Sequence, residues 1–199
     1  MLNLPNVITL LRLALVGVFT IAICFTPESQ VAYIIALASF VIAACTDWLD
    51  GYLARKLNQV TTFGKLIDPL ADKITVSAAF IYLCAVGFFP IWICIVIIVR
   101  EFLVTGIRQI AQDHGVIIAA GTSGKWKTAF QLAFCIGGLL SLTVQSFGSQ
   151  APYWLATLSN WCGHNTPNNF CYTITLWAAT ILTIWSGLEY VYGARKFFK

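Results

Sequence analysis

Val31-Ala-Tyr-Ile-Ile-Ala-Leu-Ala-Ser-Phe-Val-Ile-Ala-Ala-Cys-Thr-Asp47-Trp-Leu-Asp50-Gly51-Tyr-Leu-Ala54-Arg55 begins as an uncharged apolar run and ends in charge. The apolar part has the composition of a membrane helix, and an ionisable pair closing such a run marks a functional site by default. A second group follows after eight intervening residues: Gly64-Lys-Leu-Ile-Asp68-Pro-Leu-Ala-Asp72. Asp47 and Asp50 are three apart and Asp68 and Asp72 four apart, so each pair projects from one face of its own helix. Two helices joined by a short loop can therefore aim at one point four of the eight acidic residues in the chain. Such a cluster repels itself at neutral pH, and protonation or bound divalent cations relieve it. Carboxylate oxygens select hard cations, so Mg2+ or Mn2+ is expected rather than zinc or copper.

The rest of the chain fits a membrane setting. Of 199 residues 59% are hydrophobic and 10% charged, far outside soluble composition, with a mean hydropathy of +0.81. Six segments are long and apolar enough to span a bilayer: about 7–26, 31–53, 68–88, 89–111, 126–146 and 172–193. No basic stretch and cleavage site open the first, so it is expected to remain as a helix. Gly87-Phe-Phe-Pro90 leaves room only for a tight turn between the third and fourth. The expectation is an all-α integral membrane protein with six transmembrane helices, residues 1–199 forming one domain.

Charge placement orients it. Arg55, Lys56, Lys65 and Lys73 fall in one connecting region, Arg108, Lys125 and Lys127 in another, and Arg195, Lys196 and Lys199 in the tail; the regions near 27–30, 87–90 and 147–171 carry no Lys or Arg. The positive-inside rule puts both termini and the aspartate cluster on the cytoplasmic side. The net charge of +4 is thus a matter of topology, and no nucleic-acid partner is expected. The stretch 147–171 reads as a headgroup-level loop, with Tyr153, Trp154 and Trp161 at the interface. Asn6 reads as the cap of the first helix. The basic tail reads as an anchor for anionic membrane phospholipid.

Several motifs are weighed and set aside. Gly121-Thr-Ser-Gly124-Lys125 lacks the spacing of a phosphate-binding loop, since position 119 is Ala and position 126 is Trp. Cys162, His164 and Cys171 fall short of a zinc set. Cys24, Cys45, Cys84, Cys94 and Cys135 sit singly in apolar runs as small hydrophobes. A disulfide between Cys162 and Cys171 is permitted outside the membrane, and both pairing and free thiols stay open. Arg12 and Arg100, each within an apolar run, are costly unless paired, snorkelled or facing an anion. For Arg100 the two readings are an ion pair, with Glu101 or an aspartate, and recognition of a phosphate.

Asp-x2-Asp-Gly-x2-Ala-Arg-x8-Gly-x3-Asp-x3-Asp, from Asp47 to Asp72, resembles the complete signature of the CDP-alcohol phosphatidyltransferase family. Three further stretches, Asn3-Leu-Pro-Asn-Val-Ile-Thr-Leu-Leu-Arg12, Arg100-Glu-Phe-Leu-Val-Thr-Gly-Ile-Arg108 and Gly124-Lys-Trp-Lys-Thr128, resemble its bacterial branch, the phosphatidylglycerophosphate synthases; the likeness covers roughly 3–128. It implies a six-helix enzyme of the bacterial cytoplasmic (inner) membrane, a homodimer, moving the phosphatidyl group of CDP-diacylglycerol to glycerol 3-phosphate with release of CMP. On this reading Asp47, Asp50, Asp68 and Asp72 hold two metal ions, and Asp72 is also the general base. Gly51, Ala54, Arg55 and Gly64 line the CDP-lipid, with Asn6, Thr9 and Arg12 as neighbours. Arg100, Arg108, Lys125 and Lys127 meet the acceptor phosphate. The alternatives are another acceptor alcohol, serine or inositol phosphate, and an ion or metal transporter; the transporter leaves the Gly and Arg frame unexplained.

Overall fold

The computed structural model describes residues 4–25, 29–57, 62–113, 122–163 and 169–194. Among them are seven α-helices and no strand: α1 (Leu4–Phe25), α2 (Gln30–Leu57), α3 (Thr62–Ala85), α4 (Ile91–Asp113), α5 (Thr122–Ser146), α6 (Tyr153–Cys162) and α7 (Phe170–Ala194), with a 3-10 turn at Gly148–Gln150. Each of the six apolar segments corresponds to one long helix.

Three boundaries differ from expectation. The first helix begins at Leu4, so Asn6 lies in its first turn instead of capping it; Pro5 is tolerated there because first-turn amides have no helical acceptor. The third begins at Thr62, which puts Asp68 and Pro69 inside α3 and not at its start. There Pro69 forgoes the bond to the carbonyl of residue 65. Within 147–171, expected as a loop, lies α6, preceded by Pro152. Its helical spacing was present in Trp154, Leu158 and Trp161, which form an exposed apolar stripe, while Ser159 turns inward.

The turn at Gly87 is as the sequence predicts, and its chemistry is specific. Gly87 takes φ +78°, its N–H donates to the Cys84 carbonyl, and the Phe88 N–H donates to the Leu83 carbonyl. These two bonds close α3 in a Schellman motif, which needs a left-handed residue.

α1 packs on α2 and α3, α2 on α3 and α5, α3 on α4 and α5, α7 on α4 and α5, and α6 on α5 and α7. The bundle has two unlike ends. At one, Phe19, Phe40, Phe80, Phe89 and Phe134 are buried together, with Phe80 and Phe134 stacked at 5.6 Å and Phe89 edge-on to Phe134 at 5.4 Å. The Tyr172 hydroxyl donates to the Phe88 carbonyl and Gln30 Nε2 to the Ser146 carbonyl, fixing the start of α7 beside the Gly87 turn and the start of α2 beside the end of α5. The opposite end holds the start of α5, the later halves of α4 and α7, and the charged side chains.

The outer surface is apolar, with Ile21, Val31, Ile91, Ile181 and Leu188 all exposed. Among the described residues, two helices, Ser123–Ser146 and Phe170–Gly193, are both long and apolar enough to cross a membrane, and shorter apolar runs cover Thr9–Cys24, Gln30–Thr46 and Lys73–Ala85.

All seven cysteines are free thiols. Cys94 and Cys135 are buried as small hydrophobes, whereas Cys24 and Cys45 lie on the apolar exterior. Cys162 lies beside Cys171 and packs under Gly137; burial, then the neighbouring Cys171, pushes the Cys162 thiol pKa up. His114 and His164 lie outside the described residues.

Candidate active site

The signature divides between two packed helices. Asp47, Asp50, Gly51, Ala54 and Arg55 belong to α2, and Gly64, Asp68 and Asp72 to α3. At 3.6 residues per turn, positions 47, 50, 51 and 54 fall within about 100° of one another on α2, and positions 64, 68 and 72 within about 80° on α3. The spacings are thus those of one face on each helix. The side chains of Asn6, Asp47, Asp50, Ala54, Arg55, Asp68 and Asp72 lie outside the described residues.

The first helix brings Thr9 and Arg12, three residues apart on one face, into the same end of the bundle, where each is 2% exposed. Arg12 therefore does not snorkel. Burying a guanidinium so fully among apolar helices is costly unless its surroundings are polar.

The second charged group is a buried ionic knot. Glu101, 4% exposed, receives Lys73 Nζ at 2.9 Å on Oε2, and Arg100 Nη1 at 3.5 Å together with Lys127 Nζ on Oε1. Lys127 is 1% exposed, although its neighbours Lys125 and Trp126 are both exposed. Arg100 Nη2 also donates to Ser186 Oγ at 2.8 Å, its guanidinium lies 5.7 Å from the Tyr190 ring centroid, and its stem runs against Gly187, where a Cβ would stand 3.1 Å from Cγ. Residues of α3, α4 and α5 thus meet at one carboxylate, and α7 joins them through Arg100. Taking away one partner of such a buried group costs about 3–5 kcal/mol.

Of the four residues expected to meet an acceptor phosphate, Arg100 and Lys127 are brought together. Arg108 is half-buried two turns along α4, and Lys125 is on the surface. Of the two readings of Arg100 the structure shows the ion pair, with Glu101, within a cluster of cations. Lys127 is not an ordinary positive-inside surface charge. Sequence reasoning missed Lys73, Ser186, Gly187 and Tyr190, and Glu101 except as a partner for Arg100. A signal did exist in α7: Thr180, Thr183, Ser186, Gly187 and Tyr190 recur at helical spacing, and Thr180, Thr183, Ser186 and Tyr190 are buried. Gln131 Nε2 donates to Thr183 Oγ1 on that stripe.

The model of one protein family, described as CDP-alcohol phosphatidyltransferase, matches residues 2–185. The chain belongs to the CDP-alcohol phosphatidyltransferase family. The match runs well past residue 128, where the likeness visible in single motifs ended. Among curated relatives, a protein of Bacillus subtilis (strain 168) is 42% identical, covering 96% of this chain and 94% of its own. Others from Rickettsia bellii and Haemophilus influenzae are 35% and 36% identical, covering 98% and 97% of this chain and 97% and 94% of their own. All three are named CDP-diacylglycerol--glycerol-3-phosphate 3-phosphatidyltransferase.

As a member of this family with two long apolar helices, the chain is a membrane protein and an enzyme. The donor set of the phosphatidyltransferase signature consists of carboxylates alone, two on each of two packed helices. Hard oxygen donors of this kind fit Mg2+ or Mn2+.

Proposed function

We propose that this enzyme transfers the phosphatidyl group of CDP-diacylglycerol to glycerol 3-phosphate, giving phosphatidylglycerophosphate and CMP. The observation that carries the reading is near full-length similarity to relatives named for this reaction. The buried cations around Glu101 favour a phosphorylated acceptor over serine.

Asp47, Asp50, Asp68 and Asp72 would hold two Mg2+ or Mn2+ ions, whose contribution when bound is to offset charge on the pyrophosphate and on the departing CMP. Gly51, Ala54, Arg55 and Gly64 line the cytidine diphosphate, with Arg55 on a phosphate oxygen and Asn6, Thr9 and Arg12 beside it. The acceptor hydroxyl oxygen attacks the phosphorus that carries diacylglycerol, the bond to the bridging pyrophosphate oxygen breaks, and that oxygen leaves with CMP. Asp72 takes the hydroxyl proton; within hydrogen-bond reach, position matters more than basicity. Arg100 and Lys127, with Arg108 and Lys125 nearer the entrance, bind the acceptor phosphate.

The enzyme is read as six-span, with both termini and the active site facing the cytoplasm of a bacterial inner membrane, and as a homodimer. The lipid tails stay in the bilayer while glycerol 3-phosphate arrives from water. Alternation supports this: charged residues fall at the start of α1, α3 and α5 and towards the ends of α2, α4 and α7, as an up-and-down bundle requires.

The test is CMP release by purified enzyme given CDP-diacylglycerol, Mg2+ or Mn2+, and a panel of glycerol 3-phosphate, serine and inositol phosphate. Release is expected with glycerol 3-phosphate, abolished by EDTA and restored by either metal. Asp72→Asn is expected to lower kcat by about 100-fold or more. Full activity in that variant removes Asp72 as the base, and preference for another acceptor overturns the assignment.

A further inference from the structure

We propose that Glu101 is a positioning residue of the acceptor site, which grips Lys73, Arg100 and Lys127 together so that they meet one phosphate group as a unit. This rests on the reading of glycerol 3-phosphate as acceptor. Glu101 is 4% exposed and spends both carboxylate oxygens on the three cations. A carboxylate repels a phosphate, so its value lies in what it holds.

Three cations gather on this one carboxylate, and clustered cations of this kind attract the negative charge of a phosphate. The buried Arg100 Nε has no hydrogen-bond partner among the described residues, a donor that an acceptor oxygen would satisfy. Lys73 directly follows Asp72 in the sequence, so its bond to Glu101 also fixes the turn of α3 that carries the proposed base against α4. Without the carboxylate the cations repel one another, and Lys127, 1% exposed, has no water to retreat to.

Glu101→Gln preserves shape and removes the charge. In the full-length enzyme this variant is expected to raise the apparent KM for glycerol 3-phosphate by about tenfold or more, leave that for CDP-diacylglycerol within about twofold, and weaken inorganic phosphate as a competitive inhibitor in parallel. Glu101→Asp keeps the charge on a shorter arm and is expected to fall between wild type and Glu101→Gln. Equal changes in both KM values, or Glu101→Asp as impaired as Glu101→Gln, overturn positioning in favour of a general structural role. If Glu101→Gln does not fold, Glu101→Asp decides alone: an unchanged KM for glycerol 3-phosphate overturns the proposal. If wild type releases no CMP with glycerol 3-phosphate, the acceptor reading has failed instead. Calorimetric titration with inorganic phosphate then decides on Glu101, with at least tenfold weaker binding by Glu101→Gln supporting its role and unchanged binding overturning it.

Discussion

Arg100 is held on three sides: by Glu101 on its own helix, by Ser186 and the Tyr190 ring on α7, and by the bare backbone of Gly187 under its stem. A guanidinium so placed has little freedom left to lose when it binds an anion. Arg100→Ala is therefore expected to raise the KM for glycerol 3-phosphate by about 10- to 100-fold, well beyond its effect on the lipid donor. Steady-state kinetics with each substrate varied separately checks this, and equal effects would mark a structural ion pair. That each aspartate pair shares one face of a helix was legible because the spacing is local and helical. The partners of Glu101 were not, since Lys73 and Lys127 lie on other helices and are brought near only by packing. Nothing within a few residues of Lys127 distinguishes it from the exposed Lys125.

At the scale of elements, the joint between α3 and α4 depends on a single backbone conformation. Gly87→Ala places a Cβ at φ +78°, at a cost of about 1–2 kcal/mol, although no neighbouring atom stands within 4 Å of that Cβ. A Tm lower by about 2–8 °C is expected, with the KM for both substrates unchanged, because the turn lies at the end of the bundle away from the ionic knot. A change in KM would mean that the turn sets the site's geometry. The six long helices were readable from apolar length alone. Their ends were not: Asp68-Pro69 has the form of a helix start, yet α3 begins earlier. The helix α6 was hidden by the Ser, Asn and Pro residues around it, which mask a ten-residue amphipathic stripe.

For the whole molecule, the proposed topology predicts which end of the bundle meets the outside. In a variant whose native cysteines are replaced, Ser149→Cys is expected to react with an impermeant maleimide added to intact cells, and Lys125→Cys only after lysis. Reaction of both from outside, or the reverse order, would overturn the orientation. The proposed orientation rests on the lysines and arginines of the sequence, whereas the gathering of charge into a buried knot needed all the helices in place. That burial has a consequence for how the enzyme senses its medium. Dissolved ions screen charges that face water over about 8–10 Å and reach enclosed ones far less. With Glu101 and Lys127 almost wholly enclosed, the ion pairs of the knot are insulated from changes in the ionic strength of the cell, and osmotic stress leaves them nearly untouched while it loosens every attraction at the surface.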